Sequence, residues 1–186
     1  MKKIINYSRQ TIDQNDLNNV LKVLKSKFLT KGKITVEFEK KIKLYCKSKY
    51  VCATINASSS LIIACKALGL KKGDFVWTSN ITYIASINCS LHLGANIDLV
   101  DIDSTNNICV IDLETKLKIA KLKKKLPKII IAVHLSGLPC NLKRIKQLSK
   151  IYNFKIIEDA SHAFGANYDK HKIGSNKYSV LSVFSF

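Results

Sequence analysis

The segment FKIIEDASHA, residues 154–163, decides how the rest of the sequence is interpreted. Its start, 154–157, is typical of a buried strand, and two adjacent carboxylates, Glu158 and Asp159, follow it, with His162 three residues after Asp159. In open α/β sheets, ligands bind at the carboxyl ends of the strands. A carboxylate there can hold a protonated ring nitrogen, and a histidine can contact a ring oxygen. The alternative is a polar loop that ends a strand and caps the next segment.

On both sides of this segment, apolar strand patterns alternate with amphipathic helix patterns. The first helix follows a capping residue, Asp13, and two later helices end at Gly69 and Gly94. Helices are predicted over 13–27, from about 35, and over 58–68, 82–93, 112–125 and 141–152, and strands over 50–55, 75–78, 97–102, 128–135, 154–157 and 179–186. Strand, helix, strand at this spacing predicts an α/β fold with a mostly parallel sheet flanked by helices.

Composition indicates an ordinary globular chain. It has 186 residues, of which 47% are hydrophobic and 24% charged. No apolar run is long enough to cross a bilayer, and the N-terminus lacks the apolar stretch of a signal peptide. We therefore expect a cytoplasmic protein that does not bind membranes.

The net charge of +18 raises the possibility of nucleic-acid binding. Only Arg9 and Arg144 are arginines, whereas direct base readout and bidentate phosphate recognition depend on arginine. The lysines are spread along predicted helical faces, which is typical of solvated surfaces. No specific nucleic-acid partner is predicted, and a basic DNA-binding module remains a distant alternative.

The six cysteines contain no Cys-x-x-Cys pair and fall in different predicted elements. Zinc sites need clustered ligands, and disulfide frameworks are typical of small secreted domains. We predict reduced, mostly buried thiols and no metal site.

Small and polar residues follow the first predicted strand at Asn56-Ala57-Ser58-Ser59-Ser60 and lead directly into a helix. Free amides, serine hydroxyls and the helix dipole favour an anion at such a turn. Simple helix capping by serine is the alternative. The turn is neither a Walker loop nor a dinucleotide-binding fingerprint, because the glycine patterns of both are absent.

Tyr83 lies just past the end of the next predicted strand, where it could stack on a planar ligand or fill the core. An anion-binding turn, a stacking aromatic and the Asp159–His162 pair therefore all fall at carboxyl ends of strands. Together they indicate a flat, phosphorylated heteroaromatic ligand with a protonatable ring nitrogen. Pyridoxal 5'-phosphate has these properties. His134, alone at the end of a predicted strand, is more simply interpreted as structural.

Seven short motifs extend this pattern over residues 7–186. In chain order they are Tyr7-Ser8, Leu29-Thr30-Lys31-Gly32, Asn56-Ala57-Ser58-Ser59-Ser60-Leu61, Thr82-Tyr83-Ile84-Ala85, Val133-His134-Leu135-Ser136-Gly137, Glu158-Asp159-Ala160-Ser161-His162-Ala163 and Val183-Phe184-Ser185-Phe186. Their order and spacing resemble the sugar aminotransferases of the DegT/DnrJ/EryC1/StrS family, which have the fold-type I pyridoxal phosphate architecture. Ser161-His162-Ala163 and the Val183–Phe186 ending are most similar to the transaminases of pseudaminic acid synthesis.

The resemblance implies a role for each matching residue. Asp159 would pair with the pyridine nitrogen, His162 would contact the phenolic oxygen, and Tyr83 would stack on the ring. The phosphate would be held by the backbone of Ala57 and Ser58 and by the Ser185 hydroxyl. The nucleotide-sugar side would be lined by Tyr7, Lys27, Phe28, Leu29 and Thr30. Glutamate would donate the amino group to a 4-keto-6-deoxy UDP-N-acetylhexosamine, in a homodimer.

One departure from the family pattern concerns the Schiff-base lysine, which in the family follows the Ser185 motif by a few residues. This sequence ends at Phe186, and Lys172 and Lys177 lie upstream of the last predicted strand. We therefore expect an incomplete large domain over 1–186, with N-terminal helices at about 1–48, an α/β portion at about 49–186 and no C-terminal small domain. Such a chain would be inactive alone. The alternatives are an aminotransferase for another keto sugar nucleotide, or a non-catalytic subunit that pairs with a second chain.

Overall fold

The computed structural model of the chain describes residues 9–30 and 32–186. The predicted substrate contact Tyr7 therefore lies outside the described residues. The chain forms two compact units, Met1–Lys41 and Ile42–Phe186. Within the described ranges, no helix is both long enough and apolar enough to cross a membrane.

The first unit contains helix α1, Gln14–Leu24, and the start of α2, Lys33–Cys46. Asp13 is the N-cap of α1, and its carboxylate accepts hydrogen bonds from the amides of Asn15 and Asp16 at 2.8 and 3.0 Å. The Asp16 carboxylate accepts in return from the Asp13 amide at 3.0 Å, which completes a capping box. The predicted cap is confirmed, while α1 ends three residues before the predicted boundary.

The second unit contains seven described strands, which are β1 Phe75–Ser79, β2 Asn96–Val100, β3 Ile129–Val133, β4 Lys155–Asp159, β5 Asn167–Tyr168, β6 His171–Lys172 and β7 Leu181–Val183. Five of them form a parallel sheet in the order β2-β1-β3-β4-β7, and β5 and β6 form a separate two-stranded hairpin. The register pairs Asp159 with Val133 on one side and with Val183 on the other. Three strands therefore reach their carboxyl ends at the same level.

Helices cover both faces of this sheet, as predicted. The remaining helices are α3 Ala57–Ala67, α4 Ala85–Leu91, α5 Val110–Leu122 and α6 Leu142–Tyr152, with a 3-10 turn at Leu135–Gly137. Residues of α3 and α4 share one core cluster with Ile131 and Ile157, whereas residues of α5 and α6 share the other with Ile130 and Ile156. All five residues of β3 are buried, which explains its unbroken run of apolar residues.

The predicted strand over 50–55 is wrong. In the described part of the chain this segment forms no strand, and Tyr50 and Ile55 are strongly exposed. Its apolar composition resembles a strand, but a strand needs a hydrogen-bonded neighbour, and this segment instead leads to the N-cap of α3. The last strand is also shorter than the predicted 179–186, and the helix predicted over 82–93 begins only at Ala85.

The cysteines follow the prediction of mostly buried thiols. Four of the six are buried, Cys46, Cys65, Cys89 and Cys140. The hydrogen bond to Cys89 and burial both raise the pKa of Cys65, so its thiol stays protonated at neutral pH.

Candidate active site

Asp159 is the last residue of β4 and is only 5% exposed. One carboxylate oxygen, Oδ1, accepts from the Ser161 amide at 3.3 Å and from the Ser161 hydroxyl at 2.7 Å. The other, Oδ2, accepts from the Ser86 hydroxyl at 2.6 Å. The carboxylate is thus held from both sides at the carboxyl edge of the sheet, where ligands bind in this class of fold.

The N-terminus of α3 offers backbone donors in the same unit. The side chain of Asn56, the N-cap, accepts from the Ser59 amide at 2.8 Å. The amides of Ala57 and Ser58 come first in the helix, where no intrahelical acceptor exists for them. The positive end of the helix dipole lies there as well, and α3 packs against β7, which pairs with β4. The helix is capped by Asn56 and not by a serine, as the alternative predicted, and this cap leaves the amides of Ala57 and Ser58 for an anion.

Tyr83 lies in the connection between β1 and α4, and the residue is 72% exposed. Its carbonyl accepts from the Ser86 amide at 3.1 Å, and Ser86 contacts Asp159. The structure therefore places Tyr83 next to the residue that holds the carboxylate. This exposure contradicts the alternative that Tyr83 fills the core.

His162 is an exposed residue in the turn that follows Asp159. The Ser136 amide donates to His162 Nδ1 at 3.3 Å, so in the neutral ring Nε2 carries the hydrogen and is a donor. A donor at Nε2 suits a contact with a phenolic oxygen.

Ser185 and residues 27–30 are the other predicted contacts. Ser185 is exposed and lies two residues past the end of β7, whose Val183 pairs with Asp159. Lys27, Phe28, Leu29 and Thr30 belong to the first unit and are exposed, with Lys27 Nζ 5.7 Å from the centre of the Phe28 ring.

Sequence patterns missed a buried hydrogen-bond network on the opposite face of β4. His134 Nε2 and Glu158 Oε2 are 2.9 Å apart, and the Ser179 hydroxyl donates to Glu158 Oε1. The Cys140 amide donates to His134 Nδ1 at 3.1 Å, so Nε2 carries the hydrogen that Glu158 accepts. Burial raises the pKa of the Cys140 thiol to about 12. The structural interpretation of His134 is confirmed.

The residues that meet at this edge fit pyridoxal phosphate. The buried Asp159 carboxylate could accept a hydrogen bond from a charged ring nitrogen, and the first amides of α3 could donate to a phosphate. Within the described residues, no group of three or more His, Cys, Asp or Glu side chains could hold a metal ion.

Comparison with known proteins supports this chemistry. A model of the DegT/DnrJ/EryC1/StrS aminotransferase family matches residues 10–186. The chain belongs to this family. Membership confirms the resemblance carried by the seven motifs.

Two relatives illustrate the likeness in sequence. The chain is 38% identical to the UDP-4-amino-4,6-dideoxy-N-acetyl-beta-L-altrosamine transaminase of Campylobacter jejuni, over 98% of this chain and 47% of that protein. It is 35% identical to the GDP-perosamine synthase of Caulobacter vibrioides, again over 98% of this chain and 47% of that protein. The chain thus spans about half the length of the relatives it matches.

Solved structures of family members have the same fold. Helicobacter pylori PseC, an aminotransferase involved in pseudaminic acid biosynthesis, superposes with a TM-score of 0.89 at 29% identity, over 99% of this chain and 48% of that one. The PLP form of Spr1654 from Streptococcus pneumoniae superposes with a TM-score of 0.85 at 27% identity, over 98% and 48%. The predicted α/β architecture with a mostly parallel sheet is confirmed.

Proposed function

We propose that this chain forms the cofactor-binding part of a pyridoxal phosphate-dependent aminotransferase that acts on a nucleotide sugar. The proposed reaction moves the amino group of glutamate to a 4-keto-6-deoxy UDP-N-acetylhexosamine, for pseudaminic acid or a related surface polysaccharide. The observation that carries the proposal is the buried Asp159 carboxylate at the carboxyl end of β4, held by Ser86 and Ser161.

Each residue at the edge of the sheet has a task in this proposal. Asp159 holds a proton on the ring nitrogen through a charge-assisted hydrogen bond. His162 donates from Nε2 to the phenolic oxygen, and Tyr83 covers one face of the ring. Ala57 and Ser58 bind the phosphate through their amides, and Ser185 binds it through its hydroxyl. When bound, pyridoxal phosphate supplies a ring that accepts electrons from the substrate.

The substrate side and the assembly are part of the same proposal. Tyr7, Lys27, Phe28, Leu29 and Thr30 line the nucleotide sugar, and the full-length protein is a homodimer. Residues 1–186 correspond to the large domain of such an enzyme, since they cover 47% of the Campylobacter transaminase. The cytoplasmic location stays a prediction.

Two variations of this function stay open as alternatives. A different keto sugar nucleotide is favoured by the 35% identity to a GDP-perosamine synthase, and binding of candidate UDP and GDP sugars separates the two. A non-catalytic subunit that pairs with a second chain stays a prediction. Co-purification with a second polypeptide that carries the Schiff-base lysine would distinguish this variation from a single-chain enzyme.

Binding of pyridoxamine 5'-phosphate to the 186-residue chain tests the proposal, because this form of the cofactor needs no lysine. We expect saturable binding by isothermal titration calorimetry, weakened roughly tenfold or more in Asp159→Ala through loss of a charged hydrogen bond. Asp98→Ala is the matched control, since Asp98 lies on the edge strand β2 and pairs with Lys116 at 2.9 Å. Equal affinity in Asp159→Ala and the wild type would contradict the proposal.

A further inference from the structure

Ser86 makes a contact that its place in the sequence does not suggest. It lies in the first turn of α4 and is 0% exposed. Its hydroxyl is 2.6 Å from Asp159 Oδ2, although the two residues are 73 positions apart. Among the described residues, Ser86 is the hydrogen-bond donor to Asp159 Oδ2.

The direction of the hydrogen bonds follows from the chemistry of the groups. An ionised carboxylate only accepts, so the single hydrogen of the Ser86 hydroxyl points to Asp159. The Ser86 oxygen is then free to accept, and Thr82 Oγ1 lies 3.0 Å from it. Thr82 therefore donates to Ser86, and Ser86 donates to Asp159.

An ordinary helix serine behaves differently, as Ser90 shows one turn further along α4. Its hydroxyl donates to the Ile87 carbonyl at 2.8 Å, within its own helix. Ser90 is also 0% exposed, so burial alone does not explain the bond from Ser86 to Asp159. The distinguishing feature of Ser86 is its long-range acceptor.

Two sets of donors fix the plane of the Asp159 carboxylate. Ser161 holds Oδ1, and Ser86 holds Oδ2. Ser86 also donates its amide to the Tyr83 carbonyl, so one short segment sets both the carboxylate and the backbone of the proposed stacking residue. Hydrogen bonds of this kind are strong in a buried site because little water competes with them.

We infer that Ser86, oriented by Thr82, is the positioning residue that aims the Asp159 carboxylate at the ring nitrogen of the cofactor. The inference rests on the proposed function and adds a residue that acts through Asp159. Its loss should therefore reduce recognition of the ring nitrogen in particular and leave contacts to the phosphate unchanged.

The test compares two ligands, pyridoxamine 5'-phosphate and the analogue in which a C–H group replaces the ring nitrogen. We expect the wild type to prefer the nitrogen-containing ligand, and Ser86→Ala to lose roughly tenfold of that preference. Ser86→Thr, which keeps a hydroxyl, should restore much of it. Ser90→Ala, the matched control on the same helix, should keep the wild-type preference.

The outcomes separate this inference from the proposed function. If Ser86→Ala keeps the full preference while Asp159→Ala loses it, the inference is wrong and the cofactor site stands. If the wild type has no preference for the nitrogen-containing ligand, both are wrong. Should Ser86→Ala fail to fold, as judged by circular dichroism, Thr82→Val replaces it in the test. Thr82 is half-buried and donates to Ser86, so its loss acts on the same hydrogen bond to Asp159. It should lower the preference roughly twofold to threefold, and an unchanged preference would overturn the inference.

Discussion

At the scale of single residues, Gly137 determines how closely the turn after β3 approaches the turn after β4. Its φ is +83°, in the left-handed region, and a Cβ built there would lie 2.8 Å from the His162 carbonyl oxygen. The neighbouring Ser136 amide donates to the His162 ring. A glycine at this position therefore lets the backbone come close enough to orient His162.

Replacement of Gly137 by alanine should destabilise the protein by more than backbone strain alone. Gly73→Ala is the matched control, because Gly73 has a similar φ of +86° and nothing within 4 Å of the added Cβ. We expect Gly73→Ala to cost about 1 kcal/mol, and Gly137→Ala to cost about 1–3 kcal/mol more because of the steric contact. Urea unfolding of the two variants measures the difference, and equal costs would show that the close approach is absent.

At the scale of elements, the buried network around Glu158 joins strands that are distant in sequence. Glu158 belongs to β4, His134 follows β3, and Ser179 precedes β7. All three side chains are buried, so a donor that loses its acceptor cannot find water in exchange. The network thus holds together three strands whose ends carry the proposed site.

Two substitutions of Glu158 separate the hydrogen bonds from the charge. Glu158→Ala leaves the donors of His134 and Ser179 without an acceptor and should cost about 3 kcal/mol of unfolding free energy. Glu158→Gln keeps an acceptor for His134 and should cost only about 1 kcal/mol. Thermal and urea unfolding measure both values. A glutamine variant as unstable as the alanine variant would mean that the carboxylate charge is the essential property.

At the scale of the whole molecule, the parallel topology of the second unit assembles the site. Residues of α3, α4, β4 and β7 meet because the carboxyl ends of parallel strands share one edge. The family model matches residues 10–186, a range that contains all the strands of this sheet.

Local patterns predicted most of this architecture, since caps, glycine stops and apolar runs depend on neighbours in sequence. They placed Asp159 two residues past the end of a strand and Ala57 one residue before a helix, and in the structure these residues end β4 and begin α3. They failed at 50–55, where strand-like composition met no partner strand. Ser86 was missed for a related reason. It follows β1, and only the strand order, with β3 between β1 and β4, brings it to Asp159.

The most direct test of the central claim is a crystal structure of the chain with bound pyridoxamine 5'-phosphate. The account predicts an Asp159 carboxylate oxygen within about 3 Å of the ring nitrogen, with the phosphate against the amides of Ala57 and Ser58. A ligand bound elsewhere, or with its ring nitrogen turned away from Asp159, would contradict it.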